Sequence, residues 1–438
     1  MSEQLSVFVV FILVFAGIVL EKLDKTAIVL AGALFLVMFG YLDFEHAIHA
    51  VDFHTICLLL GMMVIVCCLN DVRLFEWTAL RLGLMTRGSP VLIFVTFGFA
   101  TAVFSAFLDN VTTVLIIVPL VISLARGMGL DPRPFVLCSI FLSNLGGAAT
   151  LIGDPPNLLI GSQVKTLTFA MFIQYLTAPV IVSCAIAMLY LRWINRATVK
   201  SRSGTFNWLF LSNLTLEDIQ RQAAELKIPA SVGIRAAAVG GLVLVGFFSH
   251  AATHIEPSVV AMTGATLMLI VFHKELDLHK VIAHVEWPTL LFFAGLFVVV
   301  GAVEHVGLLE MVANFLMSLT QDVWVLLMLI LWVSAILSGI VDNIPFVAVM
   351  IPVLQKLEAT EPFASDPNTG LVWWALALGA CFGGNATAIG ASANVISVAI
   401  ARSKGIEITF TSFLRESLPV TFMSIVVSSV YLSILYYV

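Results

Sequence analysis

Long apolar runs punctuated by single polar residues set the rhythm of this chain. Runs at 5–21, 26–42 and 54–70 are each long enough to cross a bilayer as a helix. A short charged turn, 21–25, separates the first two, and an acidic, histidine-bearing loop, DFEHAIHAVDFH, leads into the third. From Pro90 to Leu124 two half-length apolar runs flank Asp109-Asn110, the pattern of a re-entrant hairpin whose tip lies inside the membrane. Residues 134–163 read as a span broken at a glycine pair and at Pro155-Pro156, and 167–191 as a further span. The basic segment 192–232 reads as a linker with a surface helix, Thr215-x-x-Asp218 serving as its capping box. Spans then return at 233–249, 257–273 and 289–304, followed by a hairpin at 323–356, a broken span at 371–401 and a last span at 417–438.

The second set of elements repeats the first. Asp109 and Asp342 are 233 positions apart, as are Pro119 and Pro352. Gly146 and Gly383, Thr150 and Thr387, Gly153 and Gly390, and Asn157 and Asn394 are each 237 apart. Upstream, Asp52, Thr55, Gly61 and Glu76 fall on Glu286, Thr289, Gly295 and Glu310 at an offset of 234. Such self-similarity marks an internal duplication. The expected fold is an all-α polytopic membrane protein built of two repeats, 1–191 and 233–438, each with five spans, one re-entrant hairpin and a helix broken at mid-membrane. Five is odd, so the repeats must be inverted relative to one another. Basic residues agree: a cytoplasmic linker puts Lys22, Lys25, Arg81, Arg87, Arg126, Arg133, Lys274, Lys280, Arg402, Lys404 and Arg415 on or near the cytoplasmic side, leaving Lys165 and Lys356 outside.

Composition closes off other classes. At 60% hydrophobic and 11% charged, the chain is not an ordinary soluble domain and is expected in the plasma (inner) membrane. The first apolar run lacks a basic region before it and a small-residue cleavage site after it, and reads as a retained span. Six cysteines scattered through apolar segments without CxxC spacing suggest neither a disulfide nor a zinc framework. With no GxxxxGK[ST] loop, ATP-driven pumping by this chain alone has no support, and the GxGD signature of intramembrane aspartyl proteases is absent.

The chemistry gathers at the interruptions. An intramembrane aspartate binds a cation when ionised and carries a proton when neutral, so Asp109 and Asp342, equivalent at the two tips, are candidate ion sites. The simpler role is to cap the half-helix that follows, with Asn110 and Asn343 beside them. Asp154 breaks the repeat, because its equivalent is Ala391. It reads either as a proton carrier or ion ligand, or as a pin for the Pro155-Pro156 turn. Thr113, Asn144, Thr150, Asn157, Asn385, Thr387, Ser392 and Asn394 offer neutral oxygens and amides. Gly146, Gly147, Gly383 and Gly384 offer close backbone approach to a solute or, equally, tight helix packing. No Lys or Arg lies within these motifs, which suits a cation or a small neutral polyhydroxy solute; Cys381 is the one thiol close by. Arg73, Glu76 and Glu310 read as ion-paired helix ends, and His46, His49 and His54 as a solvated loop.

SAFLDNVTT with GGAATLIGDPPN in the first half, and DNIPF and MIPVL with the IGASANV break in the second, resemble the ion transporter superfamily, in particular the group of bacterial arsenite permeases, NhaD sodium/proton antiporters and the melanosomal P protein. The resemblance implies a scaffold part, which holds a dimer interface in many members, and a mobile part containing hairpins and broken spans. The function expected is secondary active efflux of arsenite or antimonite coupled to proton antiport, the neutral hydroxide held by Asn110, Thr150, Asn343, Asn385, Thr387 and Asn394. Sodium/proton antiport is the alternative, and a dicarboxylate carrier or a channel ranks below both. No enzyme activity, cofactor, bound metal or nucleic-acid partner is expected. The partners are a small inorganic solute, a coupling ion and the lipid bilayer, and both a homodimer and a separate ATPase subunit are compatible with the sequence.

Overall fold

The computed structural model describes residues 2–20, 22–199, 217, 220–226 and 228–438. The expected linker helix lies largely outside the described residues, and so do Thr215 and Asp218 of its capping box. The described chain is helical, and its two halves carry matching series of ten helices. The first half runs α1 (Ser2–Leu20), α2 (Lys25–Met38), α3 (Phe44–Ala50), α4 (Phe53–Asp71), α5 (Leu74–Met85), α6 (Pro90–Phe107), α7 (Asn110–Gly127), α8 (Arg133–Gly147), α9 (Pro155–Gln163) and α10 (Phe169–Ile194). A single helical turn, Arg196–Val199, follows it. The second half runs α11 (Ala230–Thr253), α12 (Pro257–Val271), α13 (Leu278–His284), α14 (Trp287–His305), α15 (Leu308–Leu319), α16 (Val323–Ile340), α17 (Asn343–Glu358), α18 (Val372–Gly383), α19 (Ser392–Ser403) and α20 (Phe410–Tyr437). Each helix of the first series has its counterpart ten places on.

Local chemistry starts these helices where the sequence offers caps. Asp24 accepts the N–H groups of Thr26 and Ala27 ahead of α2, at 2.9 and 3.1 Å. Asp52 caps α4, and Ser89 followed by Pro90 opens α6. The bend into α5 and its repeat into α15 both use a left-handed residue, Arg73 (φ 59°) and Gly307 (φ 77°). Arg73 is held there by a two-pronged ion pair to Glu76, both bonds 2.8 Å long.

Among the described residues, nine helices are long and apolar enough to cross a membrane: α1, α4, α6, α7, α10, α11, α14, α16 and α20. Outward-facing side chains such as Leu13, Leu34, Leu189 and Val245 are all more than 60% exposed, as a lipid-facing surface requires. Three sequence expectations need correction. The hairpin arms α6 and α7 are 18 residues each, about 27 Å at 1.5 Å per residue, so they are not half-length. Their closed end nevertheless stops at the level of the break between α8 and α9, inside the protein. Around 44–50, 74–85, 278–284 and 308–319, where the sequence predicts a loop or no element, the chain forms the short helices α3, α5, α13 and α15, and α20 begins at Phe410 rather than 417.

The helices sort into two packed groups that interleave the halves. In one, α2 packs on α14, α4 on α12, and α3 on α14. In the other, α6 packs on α8, α16 on α18 and α10 on α20, while α7 crosses to α19 and α17 to α9. These reciprocal crossings are what a pseudo-two-fold axis produces. α5 and α15 touch members of both groups and connect them.

Candidate functional site

Both hairpins turn on Asp-Asn, and both aspartates cap the helix that follows. Asp109 accepts the Thr112 N–H at 3.0 and 3.1 Å and the Thr112 hydroxyl at 3.0 Å. Asp342 accepts the Ile344 N–H at 3.4 Å. Capping is therefore real at both tips, yet the tips differ. The Lys25 ammonium, from the first turn of α2, donates to Asp342 Oδ2 at 2.8 Å and to Ser392 Oγ at 2.9 Å, and sits 5.3 Å from the centre of the Phe292 ring. No Lys or Arg lies within the motifs themselves, but α2 starts beside the second tip and delivers a lysine to it.

Behind the tips lies a chain of buried amides. Asn110 Nδ2 donates to Asn144 Oδ1 at 3.1 Å and to Asp154 Oδ1 at 3.2 Å. Asn144 Nδ2 donates in turn to Asn385 Oδ1 and Asn394 Oδ1, each at 2.8 Å, and Asn385 Nδ2 to the Phe141 carbonyl at 3.1 Å. The halves are thereby joined at their centre by amide pairs.

The breaks explain several motif residues. Breaking a helix at membrane depth releases carbonyls that water cannot reach, and each needs a donor. Asn157 Nδ2 supplies one to Ala148 and Thr150, at 3.0 and 2.9 Å, and Asn394 Nδ2 serves Gly384 and Thr387, both at 2.8 Å. The hydroxyl of Thr150 donates to the Ala106 carbonyl, and that of Thr387 to the Gly339 carbonyl at 2.7 Å, tying each break to its own hairpin. A Cβ on Gly146 would stand 2.3 Å from the Ala102 carbonyl oxygen, and one on Gly383 2.5 Å from that of Ala335. These glycines let α8 and α18 lie against the hairpin arms, while Gly147 and Gly384 face the backbone of Gly153 and Gly390 across the break. All four serve close packing and do not face the cavity.

Asp154 is the exception among the break residues. Its carbonyl starts α9, accepting from Asn157 N–H at 3.0 Å, but its side chain makes no capping bond. The carboxylate turns instead towards Asn110, with Cys381 and Asn343 close by. It is fully buried, and Oδ2 has no hydrogen-bond partner among the described residues. The turn-pinning role is therefore not made by the side chain. Thr113, also fully buried, has a hydroxyl with no such partner either.

A cavity of about 500 Å³ opens in front of this group. Of the residues expected from sequence, Asp109, Asn110, Asp154, Asn343 and Ser392 line it. Asp342 faces a neighbouring space of about 280 Å³ that shares Lys25 and Ser392. Thr113, Asn144, Thr150, Asn157, Asn385, Thr387 and Asn394, with the four glycines, stand behind the wall. Sequence reasoning missed Lys25, Met62, Met63, Cys67, Asn70, Thr112, His284 and Glu286, all of which line the cavity. A signal existed for Glu286. It is the repeat partner of Asp52, and each accepts a threonine hydroxyl three residues on, Thr289 at 3.1 Å and Thr55 at 2.5 Å. Elsewhere the helix-end ion pairs hold as expected, with Lys356 bonding Glu310 at 2.6 Å. His46 pairs with exposed Asp43, and His54 with Glu256.

The geometry has relatives. A model of the CitMHS family, described as citrate transporter, matches residues 15–379. The chain is 37% identical over 436 residues to an uncharacterized transporter of Mycobacterium bovis, covering 98% of each, and 37% identical over 435 residues to the 46 kDa membrane protein of Mycobacterium leprae, again covering 98% of each. It is 32% identical to the human P protein over 498 residues, an alignment that takes in 96% of this chain and 58% of that one. The crystal structure of the Alcanivorax borkumensis YdaH transporter, reported to have an unusual topology, superposes with a TM-score of 0.56 over 99% of this chain and 98% of its own, at 16% identity, and so shares the fold. The buried amide core, the broken spans and the extent of these matches identify the chain as a multi-pass membrane transporter of the CitMHS family, within the ion transporter superfamily.

Proposed function

We propose that the chain is a secondary antiporter that exchanges protons for a monovalent cation, sodium foremost, in the cavity between the hairpin tips. The observation that carries this reading is Asp154: a buried carboxylate, one oxygen unpartnered among the described residues, at the wall of a cavity that also presents Asp109 and Glu286. Three carboxylates against one lysine favour a cation over an anion, because a carboxylate out of water needs either a counter-ion or a proton. The citrate of the family's description would meet that excess of negative charge. On the orientation given by the basic residues, the lining residues Lys25, Asn70 and His284 lie towards the cytoplasm, which suits loading of an exported ion.

Efflux of arsenite or antimonite, first in order on sequence alone, keeps one support: Met62, Met63 and Cys67 bring sulfur to the same wall as Asn110 and Asn343. Against it, Thr150, Thr387 and Asn394 spend their donors on backbone carbonyls. Proteoliposomes with a pH-sensitive dye inside separate the two. Sodium added outside should drive proton movement with no metalloid present, and Asp154→Asn should abolish it. If sodium moves no protons while arsenite efflux follows the proton gradient, the cation reading is wrong and the metalloid reading replaces it.

A further inference from the structure

The two hairpin tips are equivalent by sequence and unequal by environment. The Asp109 carboxylate is bonded by Thr112 alone among the described residues. Asp342 is bonded by an ammonium that is itself a monovalent cation, held as a ligand cage would hold one: a carboxylate oxygen at 2.8 Å, a hydroxyl at 2.9 Å and an aromatic face at 5.3 Å. The repeat supplies no counterpart, since the first residue of α12, in the place of Lys25 at the start of α2, is Pro257, and Pro155 stands where α19 has Ser392. The lysine and the serine are therefore present in one half only.

We propose that Lys25 is a tethered counter-ion at the second tip, occupying in this conformation the place that a free monovalent cation takes when Lys25 swings away from Asp342 and Ser392. The inference rests on the cation–proton reading above and names the residue that competes with the cargo at the second tip, ahead of its competition with the proton at Asp154. Two further facts support it. Lys25 belongs to the helix group built on α2, α4, α12 and α14, whereas Asp342 and Ser392 belong to the hairpin and broken-span group, so the contact bridges two bodies and must break if they move past each other. The Lys25 side chain is 36% exposed on a flexible four-carbon stem, whereas that of Asp342 is 11% exposed.

The test uses full-length protein in detergent and reads the sodium midpoint, the dissociation constant fitted from the logarithmic rise of melting temperature with sodium, with choline holding ionic strength constant. Lys25→Met should lower that midpoint at least tenfold, because the competitor is gone. Lys25→Arg, which keeps a cation on the tether and adds a second hydrogen-bonding arm, should leave it unchanged or raise it. Lys25→Met with Asp342→Asn should lose the gain. If Lys25→Met fails to accumulate, the arginine variant and the double variant decide, since one keeps the charge pair and the other removes both charges. A merely structural lysine would lower the melting temperature of Lys25→Met without moving the sodium midpoint, and midpoints within twofold of wild type in all variants overturn the proposal. Vesicle exchange by wild type separates the two claims. Exchange with unmoved midpoints overturns the tether and keeps the cation reading, whereas an Asp342-dependent gain without exchange overturns the cation reading and keeps the tether.

Discussion

The side chain of Asp154 and those of Asn157 and Asn394 show how residues of similar polarity divide their labour at a helix break. The asparagines are fully buried and satisfy two released carbonyls each, so their role is structural. Removing one amide leaves two buried acceptors unserved, at about 1–3 kcal/mol each. Asn157→Ala and Asn394→Ala should therefore each lower stability by roughly 2 kcal/mol or more, read as a drop in melting temperature, while Asp154→Asn, which keeps shape and removes charge, should leave stability the same or raise it. Asn157 and Asn394 were visible in the sequence as an offset pair, as was the inequality of Asp154 and Ala391. Lys25 was not visible as a site residue. Its partner Asp342 lies 317 positions away, and only the meeting of the start of α2 with the second hairpin tip brings the two together.

At the scale of elements, the glycines and caps decide how close helices lie. Gly146→Ala or Gly383→Ala would drive a methyl into the backbone of α6 or α16 and should cost about 1–3 kcal/mol. Gly240 and Gly241 in α11 have nothing within 4 Å of such a methyl, so Gly240→Ala should be neutral or stabilise by about 0.5–1 kcal/mol through helix propensity. Thermal unfolding of the variants side by side checks both directions. A surface tie gives a pH effect. Arg235 hydrogen-bonds Glu275 at 2.5 Å and holds its carboxyl below the usual glutamate range. A depressed acid contributes stability above its unfolded pKa and loses it as pH falls through the folded one. Wild type and Glu275→Gln should thus differ in melting temperature at neutral pH and converge below about pH 4. Long helices were legible from apolar periodicity, because a lipid-facing surface tolerates no polar stripe. The short helices α3, α5, α13 and α15 were not, since seven to twelve residues of mixed polarity read equally as loop.

For the molecule as a whole, duplication and charge bias together predict that equivalent loops face opposite sides. The α7–α8 loop should be cytoplasmic and its counterpart between α17 and α18 external. In a cysteine-free background, Gly127→Cys should react with an impermeant maleimide only from the cytoplasm and Ala364→Cys only from outside, and labelling of both from one side would remove the inversion. The duplication was legible because the motif pairs keep constant offsets; the interleaving of the halves into two packed groups was not, as it depends on which faces meet.

In the proposed exchange a cation and a proton compete for the buried carboxylate of Asp154. Calorimetric titration of sodium into purified full-length protein, repeated in two buffers of different ionisation enthalpy, counts the protons released on binding. Wild type should release about one proton for each sodium bound, and Asp154→Asn none. Sodium binding without proton release, or release by Asp154→Asn equal to that of wild type, would contradict that competition.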